Sequence, residues 1–202
     1  MRTLKITCKM CRREGVSLCG REKCALKRRP YPPGVHGPNG SGRMTEYGKQ
    51  LREKQKAKRI YGVSEKQFRN YFDKALKMKG DSGENLVRLL EMRLDNAVFR
   101  SGFTKSRPAA RQTVSHAHVG VNGRKVDIAS AQVKPGDIIS VRETKRQKGP
   151  WKNLSEDMKT RLAPSWLAVD AKAYEAKVTG KPEGEELKQA FDPKLIIEFY
   201  SR

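Results

Sequence analysis

LVRLLEMRLDNAVFRSGFTKSRPAARQTVSHAHVGVNGRKVDIASAQVKPGDIISV, residues 86–141, is the stretch on which the reading of this 202-residue chain turns. Leu86, Leu89, Leu90, Leu94, Ala97 and Val98 recur at helical spacing, which predicts one amphipathic helix ended by Gly102. Ser106-Arg107-Pro108 then opens a second helix, with serine as N-cap and proline in the first turn, where no helical donor is lost. Arg107 and Arg111, four residues apart, share a face of it, and the pattern fades at His116-Ala117-His118. Asn122-Gly123 between short β-branched runs is a hairpin signal. Pro135-Gly136-Asp137 turns the chain again into Ile138–Val141, a further strand. The expectation is a helix pair leaning on a small antiparallel sheet, carrying Arg93, Arg100, Lys105, Arg107, Arg111, Arg124 and Lys125. Such a surface suits the phosphates and 2′-hydroxyls of A-form RNA, although charge alone fits a solvated cationic face equally well.

Lys and Arg number 44 against 22 Asp and Glu, a formal charge of +22. An excess this evenly spread points to a polyanionic partner. Nucleic acid fits better than membrane, because no apolar run approaches a spanning length. Met1-Arg-Thr-Leu-Lys-Ile-Thr7 lacks the apolar core of a signal peptide, so the cysteines read as reduced thiols or metal ligands.

Those cysteines are Cys8, Cys11, Cys19 and Cys24, in a C-x2-C-x7-C-x4-C pattern. Two short-spaced pairs of soft thiolates are what tetrahedral zinc requires, and four protein ligands leave no open position for catalysis. Arg12, Arg13, Arg21 and Lys23 among them should favour the thiolates. Free thiols and an iron–sulfur cluster are the competing readings. Beyond the knuckle, Lys27-Arg28-Arg29-Pro30-Tyr-Pro-Pro-Gly34 and Gly37–Gly42 predict an extended basic arm that orders on its partner, or else a plain linker.

Thr45 can cap a helix stopped by Gly62, largely clothed in Arg52, Lys54, Lys56, Lys58 and Arg59. Ser64-Glu-Lys-Gln67 reads as a capping box, followed by Phe68, Tyr71, Phe72, Ala75 and Leu76 on one core-facing stripe. Near the end, Lys145, Arg146, Lys148 and Lys152 extend the basic surface, and Ser155 can cap a short helix. Trp166–Val169 and Leu195–Tyr200 read as strands, and Glu183, Glu185 and Glu186 form an acidic spot in a polar loop.

No zinc-protease helix, phosphate-binding glycine loop or nucleophile elbow is present, and His36, His116 and His118 are the only histidines. The chain therefore reads as a non-enzyme. Two other readings stay in view: an RNA-modifying enzyme carrying a basic module, and a zinc-knuckle nucleic-acid-binding regulator.

The order of residues adds more. Arg93-Leu-Asp95-Asn96, Arg100-Ser-Gly102-Phe103, Ser106-Arg107, Ala110-Arg111-Gln112, Val114, His116-Ala-His118, Val121-Asn122-Gly123 and Pro135-Gly136-Asp137 resemble the RNA-binding domain named after the fourth protein of the small ribosomal subunit. Arg28–Gly34, His36-Gly37, Glu46-Tyr47-Gly48, Gln50-Leu51, Lys54-Gln55 and Ile197–Arg202 extend the resemblance to the bacterial family as a whole. Some members of that family have four cysteines near the start, with a longer gap between the pairs than here. The resemblance implies an α+β fold: an N-terminal zinc knuckle and arm over 1–41, a helical domain over 42–90 joined by part of the C-terminal segment, an RNA-binding domain of helices on an antiparallel sheet over 91–150, and a return segment over 151–202. It also implies a cytoplasmic, structural constituent of the small subunit. Such a protein binds ribosomal RNA early, at a multi-helix junction, beside protein five and the messenger entry channel, and contributes to translational accuracy. No membrane or small-molecule substrate is implied. The residues it points to are Arg28, Arg29, Tyr47, Lys49, Gln50, Arg52, Lys54, Arg93, Lys105, Ser106, Arg107, Arg111, Gln112, His116, His118, Asn122, Gly123, Arg124 and Lys125 for RNA. The four cysteines are implied for Zn2+.

Overall fold

A computed structural model describes residues 6–40, 42–146, 151 and 163–201. The expectations at Lys148, Lys152 and Ser155 lie outside the described residues. The chain forms two compact units, Met1–Leu86 with Gln189–Arg202, and Val87–Lys188. The fold is α+β.

The first unit is helical. Helices α1 (Cys8–Glu14) and α2 (Ala25–Arg28) form the cysteine-bearing start, and α3 (Glu46–Tyr61) and α4 (Glu65–Leu76) follow. Their N-caps are those the sequence implies, but the expected capping box at Ser64 is half made, Gln67 Oε1 being buried without a hydrogen-bond partner. Thr45 Oγ1 accepts from the Gly48 amide at 3.1 Å, Ser64 Oγ accepts from Gln67, and Gly62 ends α3 at φ 62°. Phe68, Tyr71, Phe72 and Ala75 are buried as a stripe, while Leu76 at its end is half-exposed.

The expected strand at Leu195–Tyr200 is instead a helix, α9 (Pro193–Tyr200), packed on α3. Asp192 accepts from the Lys194 amide at 2.8 Å and Pro193 occupies the first turn, a start signal outranked in the sequence by an apparently alternating apolar run. Ile196 is fully buried, Tyr200 lies 4.7 Å from Phe72 between ring centres, and Phe191 meets Tyr61 edge-on.

The second unit takes in the end of α5 (Ser82–Glu91), then α6 (Leu94–Arg100), α7 (Arg107–Ser115), β1 (Val119–Val121), β2 (Arg124–Lys125), β3 (Ile138–Val141), α8 (Glu143–Arg146), β4 (Leu167–Asp170) and β5 (Glu175–Val178). The single helix expected over 86–98 is thus two. At Arg93 the backbone is extended (φ −71°, ψ 142°), and Met92–Asp95 pairs with residues 129–133: Leu94 donates to Ala131 O at 2.8 Å, Asp95 to Ala129 O, and Val133 to Met92 O. Those carbonyls satisfy the first two α6 amides, and Asp95 Oδ1 accepts from the third, that of Asn96.

The five strands pair antiparallel in the order β2-β1-β3-β5-β4. Asn122 (φ 50°) and Gly123 (φ 75°) make the expected hairpin turn. A Cβ on Gly120 would stand 2.8 Å from the Arg124 carbonyl oxygen, so only glycine lets the two strands approach this closely. β5 was not anticipated. Its sequence, Glu-Ala-Lys-Val, has little strand signal, and Ala176 pairs with Ile139 on one side and Val169 on the other. Leu94, Ala97, Val98, Ala110 and Val114 from the helices meet Val119, Ile139, Val141, Ala176 and Val178 from the sheet, with Trp151 and Trp166 closing the core.

Candidate nucleic-acid interface

The corner where α5 gives way to α6 gathers charges that sequence spacing suggested would be spread outward. Glu91, fully buried, accepts from Arg100 through Nε at 2.8 Å and Nη2 at 3.0 Å, and Arg107 Nη2 stands at 3.7 Å. Asp95 accepts both Nε and Nη2 of Arg93, at 3.0 and 2.7 Å, and faces Arg111 Nη1 at 3.6 Å. Asn96 ties the two helices together. Its Nδ2 donates to the Glu91 carboxylate at 2.9 Å and its Oδ1 accepts from Arg107 Nε at 2.8 Å. The Arg107 guanidinium also lies 4.6 Å over the Phe99 ring. Four arginines on two carboxylates leave this corner positive.

Burial sorts the candidates. Arg93 has no exposed surface, so it is an internal partner of Asp95 and cannot meet a ligand in this fold. Arg111 is nearly as enclosed. Arg107 and Arg100 keep 21% and 30% of their side chains exposed. Ser106 is the α7 cap, accepting from Ala109. Lys105, Gln112, His116, Arg124 and Lys125 are exposed. At the hairpin, Asn122 donates to Asp137 at 2.8 Å and accepts from the Ile138 amide at 2.9 Å, clamping one turn to the other beside exposed Gly123. His118 is half-buried and its Nδ1 accepts from Trp151 Nε1 at 3.1 Å. Burial, then the charges of Lys145, His116 and Arg142, lower its pKa.

In the helical unit, Gln50 and Lys54 are also corrected from surface to interior. Gln50 donates to Glu198 at 2.9 Å, and Lys54 reaches Glu65 at 2.9 Å while sitting 4.2 Å over the Phe199 ring. Both fasten α3 to its neighbours. Arg52 is partly buried on Glu14 at 3.2 Å, and Arg59 also pairs with that carboxylate. Burial pushes the Glu14 carboxyl up in pKa, against the pull of Arg52 and Arg59. Tyr47, Lys49, Arg28 and Arg29 remain exposed, Lys49 pairing with Glu46.

The cysteines converge. The Cys8, Cys19 and Cys24 sulfurs lie within 4.8 Å of one another, a soft, compact donor set that can hold a metal ion. Cys11 is fully buried, a free thiol hydrogen-bonded with Cys19 and Cys24. At Cys11 and Cys24, burial and backbone amides outweigh the nearby cations. Burial pushes Cys11 up to about 11, and Cys24 is lowered to about 7 chiefly by the Leu26 amide. The arm beyond is held down over part of its length. Arg12 donates to the carbonyls of Tyr31 and Pro32 at 2.9 and 3.0 Å and stacks on the Tyr31 ring, and a Cβ on Gly37 would overlap the Pro32 carbonyl.

Among the described residues, no helix is long and apolar enough to cross a membrane. Residues 2–91 match the profile "Ribosomal protein S4/S9 N-terminal domain", and residues 92–139 match the "S4 domain". The chain is 49% identical over 201 residues to small ribosomal subunit protein uS4 of Thermodesulfovibrio yellowstonii, covering 96% of each chain. It is 51% identical, over the same shares, to the protein of that name from Caldicellulosiruptor bescii. With that of Thermoanaerobacter pseudethanolicus the identity is 50% over 97% of each.

Proposed function

The chain belongs to the ribosomal protein S4 family, and from that premise we propose how it holds RNA. It is a structural, non-enzymatic protein of the bacterial small ribosomal subunit, cytoplasmic, and it binds ribosomal RNA. The observation that carries the proposal is the positive α6–α7 corner in the same domain as an exposed basic hairpin tip. Arg100, Lys105, Arg107, Gln112, His116, Arg124 and Lys125 form the contact surface of the S4 domain. Arg28, Arg29, Tyr47 and Lys49 form that of the helical unit. Their targets are phosphates and 2′-hydroxyls brought close where RNA helices meet, a multi-helix junction bound early in assembly. Neighbouring small-subunit proteins, protein five among them, complete the setting near the messenger entry channel, where the assembly bears on decoding accuracy.

Cys8, Cys11, Cys19 and Cys24 are read as ligands of one structural Zn2+. The convergence of the Cys8, Cys19 and Cys24 sulfurs supports three of the four ligands, Cys11 being the neighbouring thiol, and a closed thiolate site would supply folding energy to the knuckle and no chemistry.

The test is binding to a small-subunit ribosomal RNA junction fragment beside a scrambled folded RNA of equal length, across a salt series. A preference of about a hundredfold that survives rising salt is expected. Contact with about six to ten phosphates would weaken both by roughly three to five decades from low to moderate salt. Equal binding that fades together would reduce the surface to a generic polyanion trap.

A further inference from the structure

Glu91 and Asn96 are nearly inaccessible, yet the arginine side chains they hold, Arg100 and Arg107, are partly exposed. Arg100 is gripped through two nitrogens by one carboxylate. Arg107 is fixed at Nε by Asn96, approached at Nη2 by Glu91 and backed by the Phe99 ring. A surface arginine ordinarily surrenders rotamer freedom when it clamps a phosphate. Here much of that freedom is already lost in the free protein, and both side chains reach the surface already fixed before RNA arrives.

We propose that Glu91 and Asn96 are positioning residues for RNA recognition: without touching RNA, they pre-set Arg100 and Arg107 for phosphates at a defined spacing. The proposal rests on the RNA-binding reading above and goes beyond it, because it assigns RNA selectivity to a buried acid. Rigid cations reward a target whose phosphates stand at matching positions and give a flexible or differently folded RNA no such advantage. Long-range attraction treats the two alike.

Glu91→Gln separates positioning from charge, because the two effects have opposite sign. The substitution removes one negative charge, taking the formal charge one unit above +22, so attraction for any RNA rises. Loss of the bidentate grip releases Arg100 and loosens Arg107. The expected result is about tenfold weaker binding to the small-subunit RNA junction fragment, with binding to the scrambled RNA unchanged or tighter. Asn96→Leu, which leaves the charge unaltered and frees Arg107 Nε, should reduce the same preference several-fold. Circular dichroism and thermal unfolding establish that each variant is folded. If Glu91→Gln does not fold, Asn96→Leu decides. A folded variant that keeps the parent's preference for the junction overturns the proposal. Absence of any preference in the parent would instead be a failure of the ribosomal RNA reading.

Discussion

Arg93 and Arg124 carry the same side chain into opposite surroundings. The first is enclosed with Asp95, and the second stands exposed on β2. Truncating one member of a buried pair strands the other charge, so Arg93→Ala should destabilise the fold by about 3 kcal/mol, read by denaturant unfolding. Arg124→Ala should shift stability by no more than about 0.5 kcal/mol yet lower RNA affinity and reduce the salt slope by about one. The converse pattern would refute the division between interior and interface. Glu65 supplies a pH test. Burial raises its carboxyl, but hydrogen bonds from Lys54, Lys58 and Tyr200 outweigh that and hold it at about 2. A carboxyl depressed in the folded state contributes stability that is present above its unfolded value near 4.5 and lost as pH falls towards 2. Glu65→Gln should flatten that acid limb of the stability curve, modestly, because the group is half-exposed. An unaltered limb would count against the Lys54–Glu65–Tyr200 linkage.

Elements whose ends are written in adjacent residues were legible in the sequence. The Thr45, Ser64 and Ser106 caps and the Asn122-Gly123 turn all rest on interactions spanning three residues or fewer. Elements decided by distant partners were not. The break at Arg93 follows from pairing with residues 129–133, and β5 is a strand because β3 and β4 flank it. Helix α9 shows both forces, with a local cap at Asp192 and a burial pattern set by α3 and α4. Asp192→Ala removes the cap acceptor and should lower stability by about 1 kcal/mol, measured as loss of amide protection in α9 before α4. Equal protection of α9 in the parent and in Asp192→Ala would assign α9 to packing alone. The same distinction governs the interface. Positive charge could be counted in the sequence, but which arginines carry it inward depended on Glu91 and Asp95 being buried.

At the scale of the whole molecule, a charge of +22 coexists with buried acids, Glu14, Glu91 and Asp95, each paired with arginines, so long-range attraction to RNA and cohesion of each unit draw on different residues. The cysteine start belongs to the helical unit, and metal removal should act locally. Chelation is expected to lower amide protection over residues 6–40 while Val87–Lys188 keeps its own. Metal-free protein with the same protection in the knuckle would rule out a structural ion.

The packing of α9 on α3 also imposes an order in time. During synthesis, α3 and α4 leave the ribosome with Phe72 lacking Tyr200, its neighbour in the finished unit. All of Val87–Lys188 is made before α9 exists, an interval on the order of ten seconds at cellular elongation rates. The second unit can therefore complete its core on a nascent chain whose earlier helices still await their last partner. The part of the protein translated first is the part finished last.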